Sequence, residues 1–282
     1  MMAPDDIDAL LTGLVEQSPP GRERLVGLLR STCAGVLSLP PLPSDIVVAQ
    51  PESAEEAVIA DFAAQFSVDV AGISDEQRAA LGAAAGRATF PVVVQMFLAD
   101  FLPRARAGLT ALGQPAAWVP DRPAWQADAD ASELVFTGLL PAVARLRELD
   151  PLTTEVVRLR GAVAHDCRLC KSLREGSALD AGGSETLYSD IGSFEDSPLL
   201  SDAHKGALRY ADALIWSPGR IEPATVAAVR EHFSPGQARE LTLDVMRNAS
   251  NKIAVALKGD APRVEHGTER YSIDADGQTV FG

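Results

Sequence analysis

The stretch SPGQARELTLDVMRNASNKI, Ser234 to Ile253, decides the fold class. Ser234 followed by Gln237 has the form of a capping box, and Pro235 sits at the first helical position, where its missing N–H is not needed. Leu241, Val245, Ala249 and Ile253 then recur at four-residue steps and share one face of a helix. Asn248 falls about two turns beyond Leu241 on the same stripe, so its amide must be hydrogen-bonded. It either lines a site or packs a helix against its neighbour.

The pattern spreads outward from there. Ser74-Asp75-Glu76-Gln77 repeats the capping box, and Asp150-Pro151 caps a helix carrying Leu152, Val156 and Leu159. Leu208, Ala211, Leu214 and Ile215 keep the helical period. The best candidate for extended structure is Ile46 to Val48, and one short run does not build a sheet. The reading is all-α. Adding 148 to first-half positions places Phe62 on Tyr210, Ile73 on Ile221, Phe97 on Val245 and Leu109 on Leu257, which suggests two tandem helical units. The organisation expected is a helical unit over 1–112, a proline-rich linker or strapped loop over 113–131, a second unit over 132–258 and an irregular tail over 259–282. Trp118 and Trp125 argue that the proline-rich segment packs on the surface. In this scheme Cys33-Ala34-Gly35-Val36 is the first unit's remnant of a cysteine motif in the second.

Bulk properties narrow the function. The 282 residues are 46% hydrophobic and 23% charged, with a net charge of -14. So acidic a surface repels phosphate backbones and argues against nucleic acid. The acidic N-terminus lacks the features of a secretory signal, and the apolar runs around Phe90–Leu102 and Leu134–Ala144 are too short to span a bilayer. A cytoplasmic protein with no membrane partner is expected. Three cysteines, Cys33, Cys167 and Cys170, do not make an extracellular disulfide framework.

Chemistry concentrates in Glu155-Val-Val-Arg-Leu-Arg-Gly-Ala-Val-Ala-His165-Asp166-Cys167-Arg-Leu-Cys170. Asp166 can cap a helix whose first turn holds both cysteines, where free N–H groups and the helix dipole favour a thiolate. Residues three apart share a face, so the sulfurs can form a disulfide with little movement. Arg174, four residues past Cys170, would sit on that face and lower a thiol pKa further. Against this stand blander readings: half of a zinc site, for which only Cys33, His165 and remoter histidines could supply the rest, or two buried structural cysteines. Glu155 alone reads as a first-turn carboxylate, and His165 as a helix-end side chain.

These residues resemble the motif of the alkylhydroperoxidase D and carboxymuconolactone decarboxylase family: a glutamate, eleven residues, then CxxC. The similarity runs from about Asp150 to Lys258, through Asp180–Glu185, Phe194–Leu199, Ala207–Ala213 and Glu240–Asp244 to Asn248, Asn251 and Lys252. The resemblance implies an all-α bundle, homo-oligomers and thiol-dependent peroxidase activity. In it Cys170 attacks a peroxide, Cys167 resolves the sulfenic acid, and Glu155 is the distal member of a proton relay. No cofactor is implied beyond the redox-active disulfide, recycled by an external thiol reductant such as a dithiol electron-donor protein. Two positions depart from the family. Its histidine four residues past the second cysteine is Arg174 here, and the histidine often found within the CxxC is Leu169. Arginine cannot act as a base, so Arg174 would stabilise a thiolate by charge alone or His165 would substitute. A small-molecule peroxide or disulfide is the substrate expected. The rival expectation is a non-catalytic helical scaffold or small-molecule binding protein that has lost the relay.

Overall fold

The computed structural model describes residues 4–18, 21–46, 48–125 and 131–281, and it is mostly helical. The chain begins with α1 (Pro4–Val15), α2 (Glu23–Leu37), α3 (Ala54–Val68), α4 (Asp75–Ala85) and α5 (Thr89–Ala111). Next come α6 (Ala131–Glu133), a π-helical turn (Leu134–Leu139) and α7 (Leu140–Ala144). The second half holds α8 (Pro151–Ala164), α9 (Arg168–Lys171), α10 (Gly176–Asp180), α11 (Glu185–Ser189), α12 (Asp202–Trp216), α13 (Pro223–His232), α14 (Pro235–Asn248) and α15 (Asn251–Ala256).

The start signals are where the sequence places them. Ser74 and Ser234 form complete capping boxes with Gln77 and Gln237, and the Asp150 side chain accepts from the Thr153 N–H. α5 is the central element, buried from Val92 to Ala105 and packed against α2, α3, α14 and α15. Asp75–Ala111 is long and apolar enough to cross a bilayer by length and composition. It nevertheless carries Asp100 and Arg104 inside the core. Asp100 accepts from Arg104 at 2.7 Å and from Lys252 of α15 at 2.5 Å, so each buried charge has an opposite partner.

The 148-residue offset has structural counterparts. α3 begins at 54 and ends at 68, while α12 begins at 202 and ends at 216, so both bounds differ by 148. Arg104 donates to the Ile215 carbonyl at 2.5 Å and Lys252 to the Ser67 carbonyl at 3.4 Å. Since 104 + 148 = 252 and 67 + 148 = 215, the two cations and the two carbonyls occupy matching positions in the two halves, and Arg104 also donates to the Ser67 carbonyl of its own half at 2.7 Å. Cys33 does not fit the cysteine motif of that scheme. It lies inside α2 and is fully buried, and Val36 is exposed.

Two expectations need correcting. No strand forms at Ile46 or Val48, and Val47 lies outside the described residues. The tail, expected to be irregular, supplies two of three strands of a small sheet: β1 (Leu173–Glu175), β2 (Glu269–Ile273) and β3 (Thr279–Phe281). β2 pairs parallel with β1 and antiparallel with β3. Strands this short show little alternation, and β1 is a strand only because the distant tail pairs with it. The proline-rich segment is strapped down as expected where it is described. Trp118 is buried, its carbonyl accepts from Thr12, and the Arg30 guanidinium covers the Trp125 ring; 126–130 lie outside the described residues.

Candidate redox site

Cys167 and Cys170 form a disulfide with their Cα atoms 5.3 Å apart. The local chain explains why they meet. α8 ends at Ala164, and Asp166 adopts a left-handed backbone (φ 51°) that breaks the helix and starts a new one at Arg168. Cys167 is itself the N-cap of α9: its Sγ accepts from the Cys170 N–H at 3.2 Å. The expected cap, Asp166, instead pairs with Lys171 on the surface. A backbone N–H aimed at Cys167 Sγ favours a thiolate there once the disulfide is reduced. Cys167 is buried, while Cys170 is partly exposed.

Both cysteines line a cavity of about 370 Å³. Its walls come from α7 and the turn before it, from α9, from the α14–α15 junction and from the tail hairpin. The tail is held against the cysteine segment by backbone pairing. Leu169 N–H donates to the Asp260 carbonyl at 2.9 Å, Glu269 N–H to the Ser172 carbonyl at 2.8 Å, and Asp260 accepts from Arg168 backbone and side chain.

The sequence-predicted residues divide. Asn248 lines this cavity beside the cysteines. Arg174 does not. α9 lasts one turn, so the i+4 relation fails, and Arg174 lies in β1, bound to Glu185 at 2.7 and 2.9 Å. Glu155 is buried and held by Arg158 at 2.6 and 2.7 Å, on the far side of that guanidinium. His165 lies in another cavity with Ser67 and Lys252, and its Nδ1 bonds to Asn251 Oδ1 at 2.8 Å. Burial and the nearby Lys252 charge push this imidazole down to about 3, so it is neutral at pH 7. Cys33 is no substitute nucleophile, since burial pushes its thiol up to about 12.

Several residues of the site have no motif in the sequence that marks them. Arg158 donates to the Cys170 carbonyl at 2.9 Å and to the Leu173 carbonyl at 2.7 Å, besides binding Glu155. Burial is the largest single influence and opposes its charge, but Glu155, Tyr271 and Tyr188 together outweigh it and raise the pKa above the ordinary arginine value. Arg158, Arg247 and Tyr271 separate the cysteine cavity from a smaller one, about 50 Å³, that holds Glu155, Glu240 and Asp244. Burial pushes Asp244 up to about 7, against the pull of Arg247.

An uncharacterized protein of Mycobacterium tuberculosis H37Rv, Rv2313c, is 56% identical over 285 residues, covering the whole of both chains. The chain belongs to the Rv2313c family. An uncharacterized protein of the CDC 1551 strain, MT2376, matches equally. An Escherichia coli protein, the uncharacterized YnjA, is 29% identical over 110 residues, which is 39% of this chain and 60% of YnjA. No protein-family model and no solved structure matches. Of the residues at the candidate site, the helix-borne ones carry signals in the sequence: Arg158 follows Glu155 by three, a spacing at which opposite charges pair on a helix. Tyr271 carries none, because only the tail's return brings it to the cysteines.

Proposed function

We propose that the chain is a thiol-dependent oxidoreductase, alkylhydroperoxidase-like, that reduces a small peroxide or exchanges a disulfide through Cys167 and Cys170. The observation supporting this is the disulfide itself, set at the first turn of α9 and opening on a cavity large enough for a small organic molecule. In the reduced protein, the more accessible Cys170 thiolate attacks the outer peroxide oxygen. The O–O bond breaks, Cys170 becomes a sulfenic acid, and the leaving alkoxide takes a proton to give the alcohol. Cys167, kept anionic by the Cys170 N–H, then attacks the sulfenic sulfur. Water leaves and the disulfide forms. An external dithiol returns the pair to the reduced state.

No imidazole stands between Glu155 and the cysteines among the described residues, so we assign no relay through His165 or Arg174. Arg158 takes the place given to Arg174, as the cation next to the cysteine turn. The matching bounds of α3 and α12 support descent from two tandem helical units of an alkylhydroperoxidase D-like bundle, with the cysteine pair in the second unit. Homo-oligomerisation belongs to the same proposal.

Peroxide added to the reduced protein should remove two of its three titratable thiols in denaturant, with one hydroperoxide consumed. Cys170→Ser should abolish this, and Cys33→Ser should leave it intact. Thiols that survive excess peroxide would favour the second reading, a binding protein with a structural disulfide, which the missing relay supports.

A further inference from the structure

The chain carries a net charge of -14, yet among the described residues its cysteine cavity is lined by two arginines and no carboxylate. The two arginines differ. Arg158 is neutralised by Glu155 and held by two carbonyls. The guanidinium of Arg247, at the end of α14, has no hydrogen bond or ion pair among the described residues; its electrostatic neighbours are Asp244 and Tyr271. Next to it, Asn248 Nδ2 is buried with no hydrogen-bond partner among the described residues. A buried donor left unpaired is unfavourable, and native structures usually give it a partner. Here a guanidinium and an amide, consecutive in sequence, supply unused donors to one wall. The rest of the lining includes apolar Phe136, Leu140, Leu169 and Ala254. Asp244 stands behind that wall, in the smaller cavity, and its raised pKa leaves part of the Arg247 charge uncompensated near neutral pH.

We infer that this cavity binds small organic carboxylates, the carboxylate on Arg247 and Asn248, an apolar body along Phe136 and Leu140, and the reactive end at the cysteines. The inference deepens the oxidoreductase reading by naming a substrate class, an acid bearing a hydroperoxide or disulfide. Binding itself requires no turnover.

Iodoacetate and iodoacetamide test it, because they alkylate thiols by the same chemistry and differ mainly in the carboxylate. The protein is reduced, freed of reductant and exposed to each reagent, and alkylation of Cys170 and Cys167 is followed by peptide mass spectrometry. The unfolded chain supplies the intrinsic ratio of the two rates. In the folded wild type the iodoacetate-to-iodoacetamide ratio should exceed the intrinsic one by about tenfold, the scale of one charge-assisted hydrogen bond. Arg247→Gln should bring it close to the intrinsic value, Arg247→Lys should keep most of it, and Asn248→Leu should lower it by a smaller factor. High salt should weaken the preference in the wild type. Thermal melts confirm that each variant is folded, and if Arg247→Gln is not, Asn248→Leu and the salt series decide.

A ratio equal to the intrinsic one in the wild type, or unchanged in the variants, overturns the inference. So does failure of both reagents to reach either cysteine. The oxidoreductase reading fails separately, through thiols that survive peroxide, and that result leaves the alkylation ratio standing.

Discussion

Asp244 is the residue whose ionisation the fold changes most legibly. It is buried, one of its carboxylate oxygens has no hydrogen bond among the described residues, and burial raises its pKa from 3.8 to about 7. A raised folded-state pKa means that the native protein binds the proton more tightly than the unfolded chain does. Its stabilising contribution is therefore complete below about pH 4 and is lost as pH rises through about 7. His165 works in the opposite sense: its pKa falls from 6.5 to about 3, so its contribution is present above about 6.5 and is lost as pH falls towards 3. The two slopes partly cancel in the wild type, and a variant separates them. Asp244→Asn should be progressively less destabilised relative to wild type as pH rises from 4 to 7, with a slope of up to about 1.4 kcal/mol per pH unit. Urea titrations of both proteins across that range measure it, and a pH-independent difference would place the Asp244 carboxyl in solvent. At this scale the sequence was legible where function follows helical period. Asn248 was placed on a buried stripe and lines the cavity. The position of Arg174 is not legible there, because nothing in Arg-Leu-Cys-Lys announces that the helix stops after one turn.

Among the elements, the tail hairpin matters most to the site and was least visible in the sequence. β2, β3 and the turn between them close one side of the cysteine cavity with Tyr271, Thr279 and Gln278 respectively. The capped helices could be read because each start has a local chemical cause: Ser or Asp to accept an N–H, Pro where no N–H is needed. The sheet has no such local cause; its register depends on pairing between Leu173–Glu175 and residues at the far end of the chain. Its turn is anchored by one glycine. Gly277 has φ 80°, and a Cβ there would collide with the Pro141 carbonyl oxygen on α7. Gly277→Ala must therefore strain the backbone and push the hairpin tip off α7, at a cost of about 1–3 kcal/mol. Hydrogen exchange should show faster exchange across β2 and β3, with α3 to α5 unchanged. Iodoacetamide should also reach reduced Cys170 faster. Unchanged protection in both strands would mean that the tip does not depend on that contact.

The two halves of the molecule share one buried ionic knot, and this makes a prediction about cooperativity. Asp100 of α5 holds both Arg104 of its own helix and Lys252 of α15, and those cations reach across to Ile215 and Ser67 in the opposite halves. The 148-residue offset was readable in the sequence as apolar matches. The crossed pattern of cations on carbonyls was not, because Arg104 and Lys252 differ and their charges read as surface residues until burial is known. Removing the shared carboxylate with Asp100→Asn leaves two buried cations without a counter-charge, an arrangement that costs about 3–5 kcal/mol. Because both cations brace both halves, the loss should not stay local. Amide protection in α2 and α3 should fall in step with protection in α8 and α12, and urea unfolding should remain a single transition at a lower midpoint. If the first half alone loses protection, with α12 unmoved, the knot belongs to α5 and its neighbours. The two halves would then be coupled by apolar packing between α5 and α14 instead.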